Sequence, residues 1–287
     1  MNADKLLARL DARFPGRRAL VTGGASGLGL AVAETLAIRG WALGLLDLDA
    51  SRLEAAAARL AGAGAAAVFT RAVDARDEAA VRAAVDGFAA ERGGIDLAFN
   101  SAGVAVAGCF LETPAEDWDW VIAINVLGVA ACCRAELPHM LAAGGGLIVN
   151  VASAAGFVSG ADMSAYNASK AAVIALSETL SQEHAAQGIQ VTVAMPGFFR
   201  TRLLEQARAP ASALATARKI MHASNLEADV VAREILARAA AGEEHVVLPR
   251  EYRWLWRFKR LAPRAFQRFM VRFRARKEAE ARARKGG

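Results

Sequence analysis

Tyr166 and Lys170 stand four residues apart in Tyr166-Asn167-Ala168-Ser169-Lys170. The surrounding stretch has helical period, so the two side chains share one helix face. A nearby ammonium favours phenolate and lowers a tyrosine pKa from about 10 toward working pH. Tyr166 can then exchange a proton with an alcohol or carbonyl oxygen. Ser153 lies just beyond the apolar run 147–151, where its hydroxyl can hydrogen-bond that oxygen and orient it. Taken alone, a helix lysine is ordinarily a solvated face and a serine after a strand is a cap. The weight rests on the set, in this order. His139, His184, His222 and His245 lie far apart without metal-ligand spacing, so no metal site is expected. No GxSxG nucleophile motif is present, which leaves hydrolase chemistry without support.

A second group of residues could hold phosphate. Thr22-Gly23-Gly24-Ala25-Ser26-Gly27-Leu28-Gly29 follows the apolar run Arg18–Thr22 and opens a helix expected over about 30–39. A pyrophosphate is well held by backbone N–H groups at a helix N-terminus, and glycines remove side chains that would block its approach. The next apolar run ends at Asp47, 18 residues after Gly29. An acid there accepts both ribose hydroxyls of an adenosine and repels a 2′-phosphate. No Arg or Lys occupies Ala25, Ser26 or Leu48, where a cation could rescue 2′-phosphate binding. NAD(H) is therefore favoured over NADP(H).

These residues need a frame. Short apolar runs at Arg18–Thr22, Ala42–Asp47, 66–72, Leu97–Asn100, 147–151, 190–194 and His245–Leu248 alternate with amphipathic, alanine-rich stretches. Apolar nearly throughout, they read as parallel strands covered on both faces, in a doubly wound, Rossmann-type α/β sheet of about seven strands. Ser51 with Glu54, Thr113 with Glu116, and Ser224 with Glu227 have the capping-box pattern of helix starts. At 287 residues and 30.1 kDa the chain fits one large domain, read as a lead-in helix over 1–16, a catalytic domain over 17–249 and a tail over 250–287. Apolar residues make up 55%, enough for a sizeable core, and global disorder is excluded. No run approaches the roughly 18 uninterrupted apolar residues of a membrane span. The charged N-terminus lacks the apolar stretch of a secretion signal. Cys109, Cys132 and Cys133 do not suggest a disulfide framework; the adjacent pair reads as small apolar residues of a helix. A cytoplasmic protein is expected.

The sequence resembles the short-chain dehydrogenase/reductase family, in its compact single-domain branch, over roughly residues 17–249. TGGASGLG matches the family's TGxxxGxG, and Tyr166 to Lys170 match its YxxxK, with Ser153 at the usual 13 residues before the tyrosine. The resemblance implies a hydride transfer to or from a nicotinamide, with Asn125 as a fourth catalytic residue holding a water that links Lys170 to solvent. It also implies that Lys170 binds the nicotinamide ribose and that Asp74 contacts adenine. Pro196, Gly197 and Thr201 would belong to the nicotinamide-side loop. Asn100, Ala102 and Gly103 fall where the family has NNAG; Ser101 departs from that pattern, with consequences expected for local stability only. A homo-oligomer, dimer or tetramer, is implied as well.

Substrate choice is expected from residues 198–204, the alanine-rich stretch after them, and loops 103–110 and 154–163. These are largely apolar, which points to a lipophilic secondary alcohol or ketone. The charge is divided: residues 1–249 carry a balance of −5, while 250–287 hold 14 Lys and Arg against 3 acids. In that tail Trp254, Phe258, Leu261, Phe266, Phe269 and Phe273 recur at helical intervals beside an arginine stripe at 253, 257, 260, 264, 268 and 272. Pro263 divides it into two helices. The stripe could pack on the core or another subunit, lie on an anionic membrane as a peripheral anchor, or meet an acidic partner; nothing resembles a nucleic-acid motif. Leu6, Leu7, Leu10 and Phe14, with Lys5, Arg9 and Arg13, form a smaller version at the N-terminus. The charged end, 277–287, is expected to fray. An NADP(H)-dependent 3-oxoacyl reductase, opposed by Asp47, and a cofactor-sensing scaffold whose tail binds a partner stand as alternatives.

Overall fold

The computed structural model describes residues 3–224 and 226–283. Seven strands, β1 (Arg18–Thr22), β2 (Ala42–Asp47), β3 (Ala67–Ala72), β4 (Leu97–Asn100), β5 (Gly146–Val151), β6 (Ile189–Pro196) and β7 (His245–Leu248), form one sheet in the order β3-β2-β1-β4-β5-β6-β7. Every pairing is parallel, from Ala19 opposite Leu97 to Val193 opposite His245. The strand order reverses between β1 and β4. In a doubly wound sheet that switch point leaves a crevice at the carboxyl ends of the strands, and here those ends are Thr22, Asp47, Asn100, Val151 and Pro196. The helices are α1 (Ala3–Arg13), α2 (Gly27–Ala37), α3 (Ala50–Gly62), α4 (Glu78–Arg92), α5 (Ala115–Ile122), α6 (Val129–Ala142), α7 (Ala155–Val158), α8 (Ser164–His184), α9 (Ala211–Ala223), α10 (Ala228–Ala240), α11 (Arg250–Leu261) and α12 (Pro263–Ala283).

Two apolar layers hold the sheet. One joins α1, α2, α3 and α10 through Leu10, Leu36, Leu60 and Ile235. The other joins α4, α6 and α8 through Phe88, Met140 and Val173, and α11 adds Tyr252, Leu255 and Trp256 to it. Fully burying one such leucine is worth about 1.5–3 kcal/mol over leaving it exposed. Cys132 and Cys133 are buried inside α6, as small apolar residues should be. The continuous helical stretch Ala115–Ala142 is long and apolar enough to cross a membrane, but over half of its apolar window is buried in the fold.

Several local expectations change. The N-terminal stripe is not an outward face: Leu6, Leu7, Leu10 and Phe14 are all buried, and α1 packs on α10. At α3 the cap is Asp49, whose carboxylate accepts from Arg52 N, rather than Ser51. Thr113 donates back to Cys109 O, and Ser224 to Phe198 O, so neither heads its helix. Thr113 bonds its own preceding turn, as a short polar side chain readily does, and Ser224 reaches a carbonyl 26 residues upstream. The helix after the glycine turn opens at Gly27, inside the motif. The tail divides at Pro263 as expected. Its second helix continues to Ala283, past the onset of the expected fraying, and 284–287 lie outside the described residues.

Candidate active site

The glycine turn is shaped by its own neighbours. Gly23 and Gly27 adopt φ of +64° and +53°, in the left-handed region that favours glycine. A Cβ on Gly29 would collide with the Gly23 carbonyl, so that glycine is required for the turn to close on α2. Ser101, the departure from NNAG, donates to Thr22 O at 2.6 Å and ties the end of β4 to β1. The Asp47 carboxylate receives Ala25 N at 3.1 Å and Asp49 N at 3.2 Å, which locks it beside the turn. Asp74 is gripped by the Arg76 guanidinium and backbone N–H, and this holds its carboxyl below the usual range.

Tyr166 and Lys170 lie on the first turns of α8, both buried. Burial pushes the Tyr166 phenol up to about 12, opposed by a hydrogen bond with Ser153. It also pushes Lys170 down to about 8. The expectation that Lys170 lowers the Tyr166 pKa is therefore overturned for the protein alone. Lys170 keeps most of its charge at neutral pH, and burial of the phenol sets the direction of the Tyr166 shift. Its Nζ donates to Val151 O at 2.9 Å and lies 5.8 Å from the Tyr166 ring centroid. Ser153 Oγ accepts from Ala155 N at 3.1 Å and faces Pro196 O at 3.3 Å.

Asn125 sits in a six-residue π-helical turn, Ala123–Gly128, between α5 and α6. Its amide donates to Val104 O and Ser169 Oγ and accepts from Val104 N. Both donors are spent and one acceptor position remains on Oδ1, so the residue builds the wall of loop 103–110. A Cβ on Gly103 would come 3.1 Å from Asn125 Oδ1 and 3.4 Å from Lys170 Nζ, which places the three together.

These groups surround one cavity of about 1100 Å³. Thr22, Gly23, Ser26, Gly27, Leu28, Gly29, Asp47 and Asp74 line it on one side. Ala102, Gly103, Ser153, Tyr166, Lys170, Pro196, Gly197 and Thr201 line it further along. Asn125 is absent from that lining, and so is Asn100. The Asn100 side chain is buried behind the crevice, donating to Glu136 at 3.0 Å and Asn150 at 3.1 Å, and it does not reach the cavity.

Sequence reasoning missed three features. Glu136 is wholly buried, and desolvation pushes its carboxyl up to about 7. The only sequence signal is an acid flanked by apolar residues in a core helix. Arg52 and Arg202 also line the cavity, held by Asp49 and Glu205. Most consequential, Tyr252, Leu255, Phe269, Met270 and Phe273 of the tail form part of the cavity wall. Lys259 reaches Ser159 Oγ at 3.2 Å, and Arg274 reaches Asp162 at 3.3 Å. The ring of Tyr252 packs against Gly197 so closely that a Cβ there would strike it.

Residues 17–212 match the short chain dehydrogenase family. A D-threitol dehydrogenase of Mycolicibacterium smegmatis is 43% identical over 202 residues, 70% of this chain and 77% of the relative. A cis-4-hydroxycyclohexanecarboxylate dehydrogenase of Sinomonas cyclohexanicum is 41% identical over 232 residues, 80% and 86% of the two chains. Among solved structures, a short chain dehydrogenase/reductase of Burkholderia phymatum in complex with NAD superposes with a TM-score of 0.79 at 32% identity, covering 85% of this chain and 92% of that one. With the glycine turn, the parallel sheet and the serine–tyrosine–lysine set in one crevice, the chain belongs to the short-chain dehydrogenase/reductase family of nicotinamide-dependent oxidoreductases.

Proposed function

We propose that the protein is an NAD(H)-dependent dehydrogenase of a lipophilic secondary alcohol, or the corresponding ketone reductase. The observation that carries this reading is one continuous cavity, with an acid-marked glycine turn at one end and an apolar wall over Tyr166 at the other. The residues fit the cofactor. Gly23, Gly27 and Gly29 leave the backbone of the turn bare, and Asp47 stands where ribose hydroxyls would meet it. The cavity-lining arginines do not favour a 2′-phosphate, because Asp49 and Glu205 already engage them. The nicotinamide supplies or accepts the hydride.

The chain's own residues handle the proton and the substrate oxygen. Tyr166 holds a proton at its phenolic oxygen and exchanges it with the alcohol or carbonyl oxygen. Ser153 turns its hydrogen from the long contact with Pro196 O to that same oxygen. Lys170, titrating near 8, can pass the proton on. A polyol, as the threitol relative's name implies, calls for hydrogen-bond partners along its length. Here the wall near Tyr166 offers Val104, Val106, Met163, Leu203, Leu255 and Met270, which suits an apolar body carrying one reactive oxygen. The assembly is read as a homo-oligomer, in keeping with the family, and Leu127 is exposed on the π-helical turn that leads into α6.

The test is nicotinamide absorbance during turnover of alcohols and ketones of rising hydrophobicity, with NAD(H) and NADP(H) in parallel. Rates that favour NAD(H) and rise with apolar size are expected. A preference for polyols or for NADP(H) would overturn the corresponding part of the reading.

A further inference from the structure

We propose that the outer face of the α11–α12 hairpin seats the mouth of the cavity on an anionic bilayer, so that substrate enters from the membrane surface. Two sets of arginines in the hairpin differ in their partners. Arg253, Arg260 and Arg274 pair with Glu243, Glu178 and Asp162 and pin the hairpin to the fold. Arg257, Arg264, Arg268 and Arg272 are exposed and have no carboxylate within 4.0 Å among the described residues. The second set is free to meet an external anion.

Apolar side chains accompany that set. Leu261, at the bend between the helices, is 86% exposed, Val271 62% and Trp254 59%. Phe269 and Phe273 line the cavity and are also exposed, so they form part of its rim. Ile220 of α9 and Phe198 likewise line the cavity while remaining exposed. Exposed apolar surface is thus continuous with the entrance to an apolar cavity and interleaved with unpaired arginines. Contiguous patches of this kind mark interaction sites rather than ordinary surface.

The chemistry selects the occupant. A second copy would bring two strongly cationic tails together. A nucleic acid would use the arginines and aromatic rings but would leave Leu261 and Val271, which have no stacking face, exposed to water. An anionic bilayer satisfies both sets, with headgroups at the arginines and the acyl boundary at the apolar side chains. Each arginine near such a surface strengthens partition by roughly fivefold. This goes beyond the proposed activity and depends on it only for the nature of the entering substrate.

The experiment is flotation of the full chain with vesicles of phosphatidylcholine, alone or mixed with phosphatidylglycerol. Binding to the mixed vesicles only, reversed by salt, is expected. Arg264→Glu/Arg268→Glu/Arg272→Glu should bind at least about a hundredfold more weakly, while turning over a small water-soluble alcohol as the native chain does. Leu261→Asp/Val271→Asp should also reduce binding at the lowest salt. Failure of the native chain to float at low ionic strength would overturn the proposal, as would undiminished flotation of the arginine variant. Unchanged vesicle binding by Leu261→Asp/Val271→Asp would mean that charge alone acts, and would assign the face to an acidic protein or nucleic acid. Loss of an oligomer in the arginine variant would assign it to an interface between copies. Flotation itself requires no turnover, so failure of docking and failure of the proposed activity are seen separately.

Discussion

The glycine turn and the C-terminal hairpin line the same cavity by opposite means. In the turn the backbone does the work: positive φ at Gly23 and Gly27, and no room for a Cβ at Gly29. The identity of each residue is dictated locally, and the spacing announces its purpose. In the hairpin the work falls to side chains on two regular helices, whose periodicity serves a core, a membrane or a partner equally well. The turn lies within the family match, while the hairpin lies beyond residue 212, where that match ends. Backbone-encoded sites can be read from one sequence; surfaces encoded by helical stripes need the fold to say which way they face.

The contrast can be broken at several points. The largest effect is expected from Tyr166→Phe, which removes the exchangeable proton but leaves the glycine turn intact. Turnover should fall at least about 10²- to 10⁴-fold while NAD(H) binding, followed by its fluorescence, is retained. Loss of both together would mean the two ends of the cavity are not separable.

Lys170 gives the next effect, read as stability. Its folded pKa of about 8 lies below the 10.5 of an exposed lysine. Unfolding therefore takes up a proton between those values, and stability rises with pH across that window. Urea unfolding should show the native chain gaining about 3 kcal/mol from pH 7 to 10.5 relative to Lys170→Met. Parallel pH profiles for the two proteins would show that Lys170 is already solvated.

Gly197 is where the two regions touch. Gly197→Ala should cost about 1–3 kcal/mol by forcing the Tyr252 ring aside, and Tyr252→Ala should relieve most of that cost in the double variant. Additive losses in thermal melts would mean that the hairpin is not held at this point. Asp47→Ala sharpens the local side of the contrast. The preference for NAD over NADP should drop by about tenfold, and an unchanged ratio would remove Asp47 from cofactor choice.

Legibility followed the same division. All seven strands lie near the apolar runs, because a parallel strand covered on both faces must be apolar throughout. Tyr166, Lys170 and Ser153 converge because α8 and the end of β5 are fixed by that sheet. Asn100 could not be placed from its motif, since facing the crevice or the buried Glu136 depends on a helix 36 residues away. The shifts of Tyr166 and Lys170 were hidden for a related reason. Spacing reveals that two groups are near one another, while burial, a property of the whole fold, determines which of them carries charge. The α1 stripe and the α12 stripe look alike in sequence, but α10 covers only the first.

The position of α11 also bears on how the chain is made. β7 is the last strand in sequence and lies at the edge of the sheet, with four residues paired to β6 on one side only. Pro249 alone separates it from α11, which packs directly on it. During synthesis this sticky edge emerges before the helix that covers it. Chains stopped at residue 249 should therefore accumulate as aggregates rather than as a trimmed enzyme. α11 thus acts as a closing cap for the nascent sheet before it serves any ligand.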